Sequence, residues 1–111
     1  MSTLLLRLQK AERSTLGARL HPGLRPSQTR DIPEIQAMIQ GSPIELRFPD
    51  GTRQHTHLVT YGISARREGE GDDAKLIYEG DFRDPEIFLY LPEELLDELP
   101  AGTEVWLEAV S

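Results

Sequence analysis

Breakers and alternation decide what this chain can become. Glycine and proline recur in "PGLRP" (22–26), "PDGT" (49–52), "EGEGDD" (68–73) and "PAGT" (100–103), and between them apolar residues mostly alternate with polar ones. Turn signals at intervals of about 8–12 residues around period-two segments describe short antiparallel strands, closed into a barrel or stacked as a sandwich. At 111 residues the chain suits one domain with one hydrophobic core, expected to span 1–111.

The segments divide as follows. "TLLLRLQ" (3–9) reads as a half-buried strand with Leu4, Leu6 and Leu8 on one face. "AERSTLGARLHPGLRPSQTR" (11–30) holds too many breakers for a long element and reads as a hairpin or an ordered loop. Then Asp31 stands as an N-cap with Glu34 three residues on and Pro33 in the first turn. Ile32, Ile35 and Ile39 share a helical face and Gly41 offers a left-handed exit, which predicts one short helix near 32–40 packed through its isoleucines.

From Pro43 the pattern is β. "IELRF" alternates Ile44, Leu46 and Phe48 with Glu45 and Arg47, and Asp-Gly follows at a hairpin turn. "RQHTHLVTYGISARRE" reads as one long strand bent at Gly62, with "AKLIYEG" as its partner and Tyr61 facing Tyr78. "EIFLYL" ends at Pro92, "PEELLDEL" predicts a helical turn near 93–99 with Leu95, Leu96 and Leu99 inward, and "EVWLEAV" closes with Val105, Leu107 and Ala109 on one face. The expected class is mainly β with minor α: a six- to seven-stranded antiparallel barrel-like sheet, one short helix and one helical turn.

Composition removes whole classes of chemistry. The absence of cysteine excludes disulfides, thiol catalysis and thiolate metal sites. No apolar run approaches the roughly 18–20 residues of a membrane span, and Leu4-Leu5-Leu6 is too short for a signal-peptide core, so a cytoplasmic location is expected. Charge is distributed unevenly. Residues 1–30 carry Arg7, Lys10, Arg13, Arg19, Arg25 and Arg30 against Glu12 alone, a net +5, whereas the remaining residues hold 6 basic and 18 acidic side chains, a net −12. The basic segment either packs on the acidic body or meets an external anion. An overall charge of −7 disfavours general nucleic-acid binding, because phosphate neutralisation supplies most of that affinity.

Candidate reaction chemistry is sparse. His55 and His57 lie two apart on a predicted strand, hence on one face, with Glu45 on the neighbouring strand as a conceivable third ligand; the plainer reading is a solvated polar face. Glu79, Asp81, Asp84 and Glu86 lack the alternating spacing and central glycine of a calcium loop. Ser14, Ser27, Ser42 and Ser64 stand in no Gly-x-Ser-x-Gly turn, and no phosphate-binding glycine motif occurs. The expectation is therefore no enzyme, no metal, no cofactor and no bound nucleotide. The glycine and prolines of "HPGLRPS" pre-shape a loop that would present Arg19, Arg25 and Arg30 to a carboxylate or a phosphate.

"LLLRL" (4–8), Gly17 and "GLRPS" (23–27) together resemble the opening of the third domain of elongation factor Tu and related translation factors, and "LPAGTEVWLEAV" resembles that domain's last turn and strand. Leu24 and Thr103 stand where the family has Tyr and Asp. The resemblance implies a non-catalytic β-barrel that meets tRNA and protein partners, with Gly23, Arg25 and Pro26 in a contact loop. The leading functional reading is a non-catalytic binding module for a protein partner, with an acidic body and a basic N-terminal loop whose contact residues are Arg19, Gly23, Arg25, Pro26 and Arg30. An acidic immunity or inhibitor protein covering a basic partner is one form of it. The alternatives are an RNA-contacting accessory domain of translation-factor type and a metal-dependent hydrolase at His55 and His57.

Overall fold

The computed structural model describes residues 2–63, 65–73, 75–78 and 84–108. Among the described residues the chain forms ten strands: β1 Thr3–Arg7, β2 Lys10–Ser14, β3 Gly17–His21, β4 Pro43–Arg47, β5 Arg53–His57, β6 Thr60–Ile63, β7 Ala65–Glu68, β8 Lys75–Tyr78, β9 Ile87–Leu91 and β10 Glu104–Leu107. One sheet has the order β1-β10-β4-β5, a second β2-β3-β9-β6, and β7-β8 pair as a hairpin. Every pairing is antiparallel. The protein is mainly β, as the alternation predicts. Its strands outnumber the expected six or seven for two reasons. The stretch read as a hairpin or loop contains β2 and β3, and the stretch 53–68 breaks into β5, β6 and β7.

The breaks have a clear cause. Leu8 N–H donates to the Thr103 carbonyl beside β10, whereas the next residue, Gln9, donates to His21 at the end of β3 (both 2.8 Å). The same hand-over recurs later: Leu58 N–H bonds Ser42 and Val59 N–H bonds Tyr90, both at 2.9 Å. Thus β1 passes into β2, and β5 into β6, at corners where the chain leaves one sheet for the other. Leu8 and Leu58 are buried at those corners. Between the sheets, Leu20, Ile44, Leu46, Leu89, Leu91 and Val105 are fully buried, each such side chain stabilising the fold by roughly 1.5–3 kcal/mol relative to exposure.

Three local expectations are corrected. The N-terminal strand does not keep Leu4 and Leu6 together, because its register against β10 slips between them. This bulge turns Leu5 and Leu6 both inward and leaves Leu4 41% exposed. The helix predicted near 32–40 is a single turn, α2 Pro33–Gln36, whose N-cap is Ile32 rather than Asp31 and which has no side-chain cap; a separate turn, α1 Pro26–Thr29, precedes it in the stretch read as a hairpin or loop. Ala37 is still right-handed and bonds the Pro33 carbonyl, but two residues on the Ile39 N–H goes to the Ser42 hydroxyl (2.9 Å) instead of continuing the helix. Ile39 is therefore 65% exposed, and of the predicted stripe and its neighbour only Met38 is buried. Tyr61 lies opposite Leu89, and Tyr78 opposite Ala65, so the tyrosines do not form the expected cross-strand pair.

The late helical turn is a 3-10 segment, Glu93–Glu98, with Leu95 and Leu99 buried, and β10 directs Val105 and Leu107 inward as expected. Glu79, Asp81 and Ala109 lie outside the described residues. No helix among the described residues is long and apolar enough to cross a membrane.

Candidate functional site

The predicted contact residues divide between a sheet face and a loop. Arg19 and His21 stand on the outer face of β3, Arg19 opposite Glu12 of β2 and Tyr90 of β9, and His21 opposite Lys10 of β2. Arg19 donates to the Tyr90 hydroxyl (3.0 Å) and to Glu12 Oε1 (3.3 Å), with its guanidinium against the Phe88 and Tyr90 rings. His21 Nε2 lies 2.8 Å from the same Glu12 oxygen. That hydrogen bond, with Arg19 and Lys10 nearby, holds the Glu12 carboxyl below its usual range.

Gly23 is packed against the start of β9: its N–H donates to Glu86 Oε1 (2.8 Å), and a methyl group placed on it would come within 2.8 Å of the Ile87 carbonyl. Arg25 donates to the Asp84 carbonyl (2.9 Å) and lies 3.9 Å from Glu86. Pro26 opens α1, whose Ser27 gives Asp84 both its N–H (2.9 Å) and its hydroxyl (2.6 Å). Those two bonds, reinforced by Arg25 and Arg30, depress the Asp84 pKa. Arg30 borders a small surface recess with Pro26, Ser27 and Asp84. Arg19, Arg25 and two further N-terminal arginines, Arg7 with Glu104 and Arg13 with Glu93, thus each lie within ion-pair distance of a carboxylate of their own chain.

The outer face of the β1-β10-β4-β5 sheet carries the histidine pair. Strand register places Trp106, Glu45 and His55 in one row and Glu104, Arg47 and Arg53 in the next. Arg47 stacks on the Trp106 ring at 4.1 Å and donates to Glu45 Oε1 at 2.7 Å; Arg53 approaches the same oxygen at 3.5 Å. These guanidiniums, Arg47 first, keep the Glu45 carboxyl below its usual range. Expectation grouped His55 with His57. The structure instead brings His55 Nδ1 to Glu108 Oε1 (2.9 Å), and Glu45, His55 and Glu108 form a cluster that does not include His57. Glu108 was invisible to sequence reasoning because its position depends on β10 lying beside β4.

A third feature escaped the sequence altogether. Since β4 and β10 are antiparallel neighbours, the turn that leaves β4 and the turn that enters β10 meet at one end of the sheet. Phe48, Pro49, Asp50, Thr52 and Gln54 form one wall of a groove of about 680 Å³, and Glu98, Pro100 and Ala101 form the other. Asp50 accepts the N–H (2.9 Å) and hydroxyl (2.6 Å) of Thr52, bonds that hold its carboxyl charged to lower pH than usual. The lining contains two carboxylates and no cationic side chain, and among the described residues no arginine or lysine pairs with Asp50 or Glu98. Apolar walls with fixed negative charge and no resident cation suit an incoming basic chain.

No protein family, curated protein or solved structure matches the chain.

Proposed function

We propose that this chain is a non-catalytic protein-binding domain and that the groove between the β4–β5 turn and residues 98–101 receives a basic segment of the partner. The supporting observation is the contrast in pairing: among the described residues the groove's Asp50 and Glu98 face no cation, while Arg7, Arg13, Arg19 and Arg25 have carboxylates of their own. The stems of lysine or arginine would lie on Phe48, Pro49 and Pro100 with their charged heads at the acids. Opposite charge across the contact would accelerate encounter and make it sensitive to salt. The described strands other than β7 and β8 form two separate four-stranded sheets joined at the corners that carry β1 into β2 and β5 into β6, and those corners are what favours a barrel-like reading over a plain sandwich. An RNA contact through Arg19, Arg25 and Arg30 would have to compete with Glu12, the Asp84 carbonyl and Glu86 for the guanidiniums of Arg19 and Arg25.

Titration of the full chain with hexalysine, followed by amide NMR, tests this reading. Shifts are expected at 48–54 and 98–101, fading at high salt and abolished in a D50N/E98Q double variant. Silence at low salt, or shifts that the double variant leaves intact, would refute it; tRNA shifting residues 19–30 instead would favour the RNA reading.

A further inference from the structure

We propose that Glu45, His55 and Glu108 constitute a binding site for a divalent transition ion, Zn²⁺ by donor chemistry, on the outer face of the β1-β10-β4-β5 sheet. The donors come from three neighbouring stretches of chain. Glu45 is central on β4, His55 is its direct partner on β5, and Glu108 follows β10, placed by its own N–H bonding the Pro43 carbonyl (3.0 Å). One imidazole nitrogen and two carboxylate oxygens all lie within 4.8 Å of one another, and His55 and Glu108 already stand 2.9 Å apart. A tetrahedral zinc ion with bonds of about 2.0–2.2 Å needs its ligand atoms about 3.4 Å apart. One pair is inside that spacing, the His55 side chain, 68% exposed, has room to turn toward Glu45, and the Glu45–Glu108 pair lies within 4.8 Å.

Donor type selects the ion. Calcium and magnesium take oxygen ligands, and calcium takes six to eight, more than this face supplies. Imidazole with carboxylates is a zinc set, and the chain has no thiolate to draw softer metals. Two carboxylates balance the charge of a divalent cation, and three protein ligands leave a position for water.

Arg47 and Arg53 act in opposite senses. Arg47, held on Trp106, fixes the Glu45 carboxylate through Oε1, which pre-orients it as a neighbouring hydrogen bond does for many metal ligands. Among the described residues both guanidinium contacts of Glu45 fall on Oε1. Arg53 approaches at 3.5 Å on a side chain 62% exposed, so it is the cation that an arriving metal displaces. The ion would tie β10 to β5 across β4, closing a link that the metal-free chain makes through the His55–Glu108 contact alone.

The test is titration of the full chain with ZnCl₂, read by long-range ¹H–¹⁵N NMR of the imidazoles and by calorimetry. His55 should shift and saturate at one equivalent while His57 stays unmoved. H55A and E108Q should each weaken binding tenfold or more, H57A should leave it unchanged, and CaCl₂ should shift nothing. R53A should tighten binding by about fivefold, since one unit charge removed near the site is worth roughly 1 kcal/mol in a water-like dielectric; a purely structural ion-pair cluster gives no such gain. His55 is exposed, so H55A is expected to keep the fold. An unmoved His55 at stoichiometric zinc, equal affinity in H55A, or an equal loss in H57A would each overturn the assignment.

Discussion

Residues 19–30 and the groove at 48–54 and 98–101 are both charged, proline-bearing surface regions, yet their charges meet opposite fates. In the first, Glu12, Asp84 and Glu86 arrive from β2 and from the approach to β9 to engage Arg19 and Arg25. In the second, among the described residues, Asp50 bonds only within its own turn and Glu98 has no cationic neighbour. The difference shows that a run of like charge in a sequence measures the charge present, while the strands brought alongside determine the charge left to offer. A loop spending its arginines internally is a structural anchor, and an acidic groove without a cation is a surface that can recognise one.

The largest expected effect separates the two regions by their glycines. In G23A the new methyl meets the Ile87 carbonyl and the Glu86 side chain, so unfolding by denaturant should show a loss of roughly 2–3 kcal/mol. Gly51, in the groove's turn, has φ +91 but nothing within 4 Å of an added Cβ. G51A therefore pays only for the left-handed backbone, about 1 kcal/mol on the same measurement. Equal losses would mean the loop is no better anchored than the groove.

Acid supplies the next contrast. Glu12 and Asp84 have folded pKa values depressed below their unfolded ones, so their contribution is present above the unfolded carboxylate range and is lost as pH falls through the folded values. Amide protection, relative to the unfolded chain at the same pH, should fall at residues 23–25 and 27 over that acid window, with Ser27, Arg25 and Arg30 the groups facing Asp84. D84N should remove the pH dependence of protection at residue 27 and lower that protection at neutral pH; an unchanged profile would show that the Ser27 bonds do not hold the loop.

The smallest effect is on stability in the groove. E98Q should leave the thermal midpoint within a degree or so of the parent, because removing a solvent-facing charge with no cationic partner among the described residues sacrifices no ion pair. A clear drop would show that Glu98 holds the fold together, as the acids of the loop do.

Much of the architecture was legible in local pattern. Ile44, Leu46, Val105, Leu107, Leu95 and Leu99 alternate or recur with the period of their elements, and all are buried. Where reading failed, a neighbour intervened. The slip between Leu4 and Leu6 is imposed by pairing with β10, and α2 ends early because Ser42 captures the Ile39 N–H. Of the zinc cluster, Glu45 and His55 were visible as facing residues on a hairpin; Glu108 was not, since no periodicity reveals which strand lies beyond β4.

Sequence by itself determined the mainly β character, the positions of the turns, and the exclusion of thiol and phosphate-loop chemistry, because these depend on side-chain type and on contacts within a few residues. Only the tertiary structure decided which arginines are satisfied, that "PDGT" and "LPAG" share a groove, and that Glu108 meets His55. Apart from pairs within one hairpin, such as Arg19 with Glu12, those outcomes depend on strand order, which brings together residues more than forty positions apart and is fixed by the packing of the whole core.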